Sequence, residues 1–358
     1  YLLRLNLDIK ERNFKDQLRF KLAAQSIKSL SERNNKVVIL SHLDRPKGTD
    51  KSLSLKRFAP ALGIASGKRV EFISHFNFQK IKKEVSAAPG GSVFLLENLR
   101  FLPGEKKNSK TLAKQLASLG DRYINNDFAD SHRADASISA ITNFLPSKSG
   151  PILKKEIQAL KKIRSNPQHP FVLIIGGAKM ADKITLMRYL LPKVDYVLVG
   201  GGPANNFLKL NNVNIGSSIN EPRLIQTTKL LARSKKVIIP IDWKKDGNKI
   251  LDIGPETVKL YSKIISDART IIWNGPMGYF ENKKFALGTE KVAKAILKNK
   301  KARIVIGGAE TTAAIIRVKS LPAHAYRQVG GRQARVFVST GGGAMLEFLA
   351  GKKLPGIE

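Results

Sequence analysis

Basic residues recur just after short apolar runs in the first half of the chain. His42 and Arg45 follow Val37–Leu40 in SHLDRP, and Arg100 follows Val93–Leu96 in ENLRF. His132 and Arg133 follow Tyr123–Asn125 in NNDFADSHRADAS, Arg4 lies in the first apolar run, and Arg19 opens the helical stretch behind it. The planar fork of arginine binds phosphate or carboxylate through two parallel hydrogen bonds. Taken singly, each of these residues reads more simply as surface charge. Their recurrence at the ends of strand-like runs points to a site for a small, multiply charged anion.

The second half carries a different chemistry. In FVLIIGGAKMADKI the apolar run Phe171–Ile175 suits a strand buried on both faces. Gly176 and Gly177 then turn the chain, and Lys179 and Lys183 follow at i,i+4 spacing on what reads as a helix start. Free N–H groups at a helix N-terminus and two ammonium groups make an anion site. Further glycine turns follow later apolar runs, at Gly200–Gly202, Gly275, Gly278, Gly307–Gly308 and Gly341–Gly343. None fits GxxxxGK[ST], and none fits GxGxxG cleanly. Together they suggest a nucleotide held by several loops.

The elements that must position these residues alternate in type. Strands are expected at Leu2–Leu7, Val37–Leu40, Arg69–Ile73, Val93–Leu96 and Tyr123–Asn125. In the second half they are expected at Val172–Ile175, Tyr196–Val199, Val237–Pro240, Thr270–Trp273, Arg303–Ile306 and Val336–Ser339. Helical patterns lie between them, among them Ser52–Ala65, Thr111–Leu119, Ile184–Leu191, Arg223–Arg233 and Phe285–Leu297. This order predicts an α/β fold of doubly wound parallel sheets. So many strands exceed one comfortable open sheet, so two domains are expected. The break falls between Pro146 and Pro170, where the helical run Ile152–Ile163 would join them. Ligands of such sheets bind beyond the carboxyl ends of the strands, where the motifs above stand.

Composition narrows the class. The chain has 358 residues, 42% of them hydrophobic, as in an ordinary globular protein. The absence of cysteine excludes disulfides and thiolate metal sites. No apolar run reaches the length of about 18 residues that a membrane span needs, so a soluble protein without membrane association is expected. The chain opens at Tyr1 and is already strand-like by Leu2, which suggests a few missing residues rather than a targeting segment. The net charge of +35 is unusual and favours polyanions. The lysines are spread along the whole length with little aromatic interleaving, so nonspecific attraction is expected and a dedicated nucleic-acid site is not.

Five segments then carry a family resemblance. SHLDRPKG, ENLRFLPGE, GGAKMADKI, IIWNGPMGYFE (Ile271–Glu281) and STGGGAMLEFL (Ser339–Leu349) resemble phosphoglycerate kinase, in the family's order and over nearly the whole chain. The resemblance implies two α/β domains joined by a helix. Residues 1–149 with a C-terminal segment from about 345 would bind 3-phosphoglycerate, 150–166 would be the linking helix and hinge, and 167–344 would bind nucleotide. It implies transfer of a phosphoryl group between 1,3-bisphosphoglycerate and ADP, giving 3-phosphoglycerate and ATP. Mg²⁺ would accompany the nucleotide, with no prosthetic group. The transfer would be in line and would follow domain closure. A cytoplasmic monomer is implied.

Position by position, the resemblance assigns Asn6, Asp8, His42, Arg45, Arg100 and Arg133 to the phosphoglycerate side. Arg19 matches the arginine that stabilises the transferring phosphoryl group, and Lys179, Gly341 and Gly342 join it as catalytic positions. Gly177, Lys179, Lys183, Gly201, Asn274, Pro276, Glu281, Gly341, Gly342, Gly343 and Ala344 match the nucleotide side. Glu310 would meet the metal of the nucleotide complex.

The sequence departs from the family at several of these places. The family's Arg-x-Asp-x-Asn appears as Arg4, Asn6 and Asp8, with acid and amide exchanged, and its Gly-Gly-Gly-Asp-Thr as Gly307–Thr311 with Glu310 for the acid. Asp44 replaces a glycine, and Asp127, Ala129 and Asp135 alter the segment around His132. Negative charge added beside an anion site should weaken binding. The stretch Asn220–Gly254 is compact, and Lys319–Arg335 is longer and more basic than the family's. The alternative function is therefore a catalytically weakened relative that binds nucleotide or polyanions through its basic surface.

Overall fold

The computed structural model describes residues 1–10, 13–318 and 335–357. Apart from Arg335, the basic stretch Lys319–Arg335 lies outside the described residues. The chain divides into two compact units, Tyr1–Ile157 with Lys353–Glu358, and Gln158–Lys352. The numbering boundary falls inside one helix, Pro151–Ser165. The segment that returns to the first unit begins at Lys353 and not near 345, because the helix Gly343–Leu349 packs on the helix Ala181–Leu190 of the second unit.

The first unit is built on a six-stranded sheet. Its strands are β1 (Leu2–Arg4), β2 (Val37–Leu40), β3 (Val70–Ile73), β4 (Val93–Leu96), β5 (Tyr123–Asn125) and β6 (Ser147–Ser149), in the order β3-β4-β2-β1-β5-β6. All neighbours run parallel. A parallel sheet covered on both faces selects continuous apolar strands, and β2 and β4 are buried at every residue. Two apolar clusters cover its two faces. One packs Phe20, Ile27, Phe58 and Leu62 against Leu3 and Ile39, and the other packs Ile81, Leu112 and Leu116 against Leu2 and Val38.

The second unit holds another parallel six-stranded sheet. Its strands are β7 (Phe171–Ile175), β8 (Tyr196–Val199), β9 (Val237–Ile238), β12 (Thr270–Asn274), β13 (Arg303–Gly307) and β14 (Val336–Ser339), ordered β14-β13-β12-β7-β8-β9. A separate antiparallel hairpin pairs β10 (Trp243–Asp246) with β11 (Lys249–Ile253). All five residues of β7 and of β12 are buried. At about 1.5–3 kcal/mol per large apolar side chain, runs of this kind fix these two strands at the sheet's centre.

Each sheet reverses its winding direction once, between β1 and β5 in the first and between β7 and β12 in the second. These are the crevices where ligands of open α/β sheets bind.

Several elements differ from the sequence expectation. The first strand ends at Arg4, not Leu7, because the Leu7 N–H bonds Ser41 Oγ and the Asp8 N–H bonds Asn6 Oδ1, which turns the chain off the sheet. The third strand begins at Val70 instead of Arg69, and β9 stops at Ile238, before Pro240. Ser52–Ala65 is two 3₁₀ turns, capped by Asp50 and Ser54, before an α-helix over Phe58–Ser66. Strands β6, β10 and β11 were not expected. Lys179 is not on a helix: the helix starts at Ala181, and Lys179 stands in the turn before it.

Candidate active site

The reversal point of the first sheet brings the loops after β1 and β5 side by side, and most of the basic residues meet there. Arg4 is fully buried. Its NH1 pairs with Asp127 Oδ2 at 2.9 Å, its NH2 donates to His42 Nδ1 at 2.8 Å, and its Nε donates to Ser137 Oγ at 3.1 Å. Asp130 lies next to this group. Its Oδ2 accepts from Asn6 Nδ2 at 2.6 Å and lies 3.4 Å from His42 Nε2, and its Oδ1 pairs with Arg133 Nε at 3.0 Å and Arg100 NH2 at 3.4 Å.

The predicted residues Asn6, Asp8, Arg19, His42, Arg100 and Arg133 are thus one network. Arg19 NH1 donates to Asn6 Oδ1 at 3.3 Å and to the Asp8 carbonyl at 3.4 Å. Asp8 Oδ1 accepts the Asp44 N–H at 2.8 Å, and Arg100 NH1 reaches the Asp44 carbonyl at 2.7 Å. Asp44 stands at φ +56, a left-handed conformation that suits the glycine it replaces, and its carboxylate turns to Lys10 at 2.7 Å. Arg45 is exposed.

Their exposure differs from what a set of open ligand contacts would show. His42 and Arg100 are 1% and 6% exposed, covered by the acidic loop after β5. Burial holds the His42 imidazole well below its ordinary pKa, against the pull of Asp130. Burial also raises Asp127, helped by the neighbouring Asp130. It opposes the charge of Asp130 as well, but the surrounding cations outweigh it and keep Asp130 ionised. With His42 neutral, that compensation falls to Arg4, Arg100 and Arg133. One ligand atom each of His42, Asp127 and Asp130 lie within 4.8 Å, close enough for a metal ion. The adjoining guanidinium groups already neutralise both carboxylates, which makes this donor set a poor cation site.

In the second unit the strand register sets the site. Ile175 pairs with Asn274, Asn274 with Gly307, and Gly307 with Ser339, so four adjacent strands end level. The glycine turns that follow are knitted together. Gly177 N–H bonds the Pro276 carbonyl at 2.6 Å, Gly201 N–H the Met277 carbonyl at 2.8 Å, and Gly202 N–H the Gly177 carbonyl at 2.9 Å. A Cβ on Gly176 would stand 2.0 Å from the Pro276 oxygen, so no other residue fits there. These donors are spent inside the protein. The glycines act here through close backbone packing, a different role from the phosphate-facing N–H groups expected of them.

The packed loops border a cavity of about 430 Å³. Of the predicted nucleotide residues, Gly177, Gly201, Pro276 and Glu281 line it, as does Glu310. Lys183 does not line it but lies beside Gly177: a Cβ on Gly177 would meet Lys183 Nζ at 2.7 Å and Glu310 Oε2 at 3.3 Å. Burial lowers the Lys183 ammonium from 10.5 to about 8, partly offset by Glu310 and Asp182. Lys179 is exposed beside this turn. Asn274 is a brace, its Nδ2 bonding the Gly307 carbonyl at 2.9 Å. Gly341 bonds Ser339 Oγ, Gly342 stands at φ +50, Gly343 is exposed and Ala344 is buried. None of these last five lines the cavity.

Sequence reading missed two parts of these sites. The hairpin β10–β11 supplies Trp243 and Lys249–Ile253 to the cavity wall. Asp246-Gly247, with Gly247 at φ +55, was its available signal. Asp252 ties the hairpin to the Gly288 N–H at 2.8 Å, and burial raises its carboxyl to about 6. Asp130, with no motif of its own, was the other omission.

Two parallel α/β units, each with charged or glycine-rich loops at the reversal point of its sheet, define the class of protein. The phosphoglycerate kinase family model matches residues 2–352. The phosphoglycerate kinase of Pseudothermotoga lettingae is 41% identical, covering 97% of this chain and 91% of its own, and that of Moorella thermoacetica is 38% identical over 98% and 93%. The solved phosphoglycerate kinase structure from Coxiella burnetii superposes with a TM-score of 0.82 at 34% identity, covering 99% of this chain and 94% of its own. The chain belongs to the phosphoglycerate kinase family.

Proposed function

We propose that this chain moves a phosphoryl group between 1,3-bisphosphoglycerate and ADP, giving 3-phosphoglycerate and ATP. The observation that carries the reading is the match to the family along residues 2–352, at 41% identity to one relative. Family, fold and relatives all support a kinase, and none favours a polyanion-binding relative without activity.

In this reading the first unit takes the phosphoglycerate, through Arg19, Arg45 and Arg133 with Asn6 and Asp8, above a floor of His42 and Arg100. The second takes the nucleotide in the cavity beside Lys183, with Lys179, Asn274 and Gly341–Ala344 near its phosphates and Glu281 toward the sugar. An in-line phosphoryl transfer needs positioning and charge neutralisation and no covalent protein intermediate. Arg19 is the group assigned to the transferring phosphoryl, and Lys179 supports it.

Glu310 fits a magnesium-bound nucleotide. Its carboxylate is exposed at the cavity edge beside Gly177, and Mg²⁺ held chiefly by phosphates and water needs only one or two protein carboxylates. The metal would neutralise phosphate charge. A monomer acting in the cytoplasm completes the proposal; among the described residues, no helix is long and apolar enough to cross a membrane.

A coupled assay with 3-phosphoglycerate and MgATP tests the reading. Turnover is expected. Absence of turnover in folded protein that still binds ATP would overturn it.

A further inference from the structure

We propose that Asp130 is a built-in anion: its carboxylate fills part of the arginine-lined subsite that an anionic group of the substrate would otherwise occupy, and so sets how tightly the site takes anions. The proposal rests on the phosphoglycerate reading above for the identity of the substrate, but not for the existence of the subsite.

Three observations carry it. The first is convergence. One carboxylate collects Arg133 at 3.0 Å, Arg100 at 3.4 Å, His42 at 3.4 Å and Asn6 at 2.6 Å, with Arg4 at 4.0 Å. A bound carboxylate or phosphate would draw on the same kind of donor set.

The second is that Asp130 fills this set incompletely. Arg4 donates to His42 Nδ1, so the neutral ring carries its proton on Nε2. That N–H is buried without a hydrogen-bond partner, although Asp130 Oδ2 lies 3.4 Å away, and the buried Nε–H of Arg100 is also unpartnered. Unmet buried donors are costly, and a ligand with more acceptor oxygens than one carboxylate would satisfy them.

The third is that the structure does not need Asp130 for its principal ion pair. Arg4 is held at 2.9 Å by Asp127, a different carboxylate, and by Ser137. Asp130 instead faces the residues assigned to the ligand, Arg133 and Asn6, and its side chain is 7% exposed. A negative charge at this place discriminates against anions, and the loss is greatest for the most highly charged.

The test is Asp130→Asn, which keeps the shape and removes the charge. Inorganic phosphate is the first probe, titrated by calorimetry, and 3-phosphoglycerate the second. The variant should bind phosphate at least tenfold more tightly than the parent, and its KM for 3-phosphoglycerate should fall in parallel. Unchanged or weaker phosphate binding in a folded variant overturns the proposal. Should the variant lose its fold, circular dichroism in 100 mM phosphate decides: refolding supports an anion standing in for the carboxylate, and failure to refold overturns it. Tighter phosphate binding without kinase activity in either protein would sink the proposed function and leave this inference standing. Normal kinase activity with unaltered phosphate binding would do the reverse.

Discussion

Lys183 holds its ammonium group directly against Gly177, so close that a single added methyl on the glycine would meet the nitrogen at 2.7 Å. The glycine stands at φ +77, which lets the chain after β7 fold back under the lysine. Burial lowers the lysine to about 8, so its charge is lost from the folded protein between about pH 7 and 9. Nucleotide affinity should fall over that window, and Lys183→Arg, which stays charged, should flatten the profile. Calorimetric Kd values for ATP at pH 7 and pH 9 check this. The stability term has the opposite sign: the unfolded chain binds this proton more tightly, so stability from this group rises from about pH 8 toward 10.5. A parent whose ATP affinity is flat across the window would contradict the placement.

Arg19 reaches Asn6 and the Asp8 carbonyl from the half-buried face of its helix. In other phosphotransferases a single positive group at the transferring phosphoryl is worth about 10³–10⁵ in rate. Arg19→Ala should therefore lower kcat by about 10³ or more while the melting temperature stays within a few degrees. Activity within tenfold of the parent would remove Arg19 from that role.

Arg4 is a different case, because its partners are protein groups. Removing one side of a fully buried ion pair leaves the other charge stranded, at a cost of about 3–5 kcal/mol. Arg4→Leu should lose stability of that order in urea titrations. Arg4→Lys should recover only part of it, since an ammonium cannot reach Asp127, His42 and Ser137 together.

Glu310 is exposed, so its replacement tests ligand contact with little effect on folding. Glu310→Gln should raise the Mg²⁺ concentration needed for half-maximal activity severalfold with an unchanged melting temperature. Glu310→Asp should stay closer to the parent. Equal Mg²⁺ dependence in all three proteins would remove Glu310 from the metal's surroundings.

The parallel sheets were legible because strands buried on both faces are written as unbroken apolar runs, as in Val37–Leu40 and Phe171–Ile175. Ser147–Ser149 has no such run; it joins the sheet edge through backbone bonds alone. The hairpin escaped notice because Trp243–Asp246 and Lys249–Ile253 mix lysine into a half-solvated ribbon. At the site, residue type disclosed the arginines and lysines. The burial of Arg4 and Arg100 was not disclosed, since it depends on β5 lying beside β1. The same adjacency makes partners of Asn6 and Asp130, a pairing without any sequence spacing to reveal it. Gly177, Gly201 and Gly202 were found as turn residues, but the carbonyls that take up their N–H groups belong to neighbouring loops.

The returning segment Lys353–Glu358 has a consequence for how the protein is made. Asn125 Nδ2 donates to the Gly356 carbonyl at 2.9 Å, and the Gly356 N–H bonds the Ser131 carbonyl. On the ribosome, the sheet of the first unit is translated first, yet this last clasp on its β5 loop cannot close until residues 158–352 have emerged. The second unit is thus contiguous and can be completed in one pass, whereas the unit begun first waits for residues that follow the whole of the second.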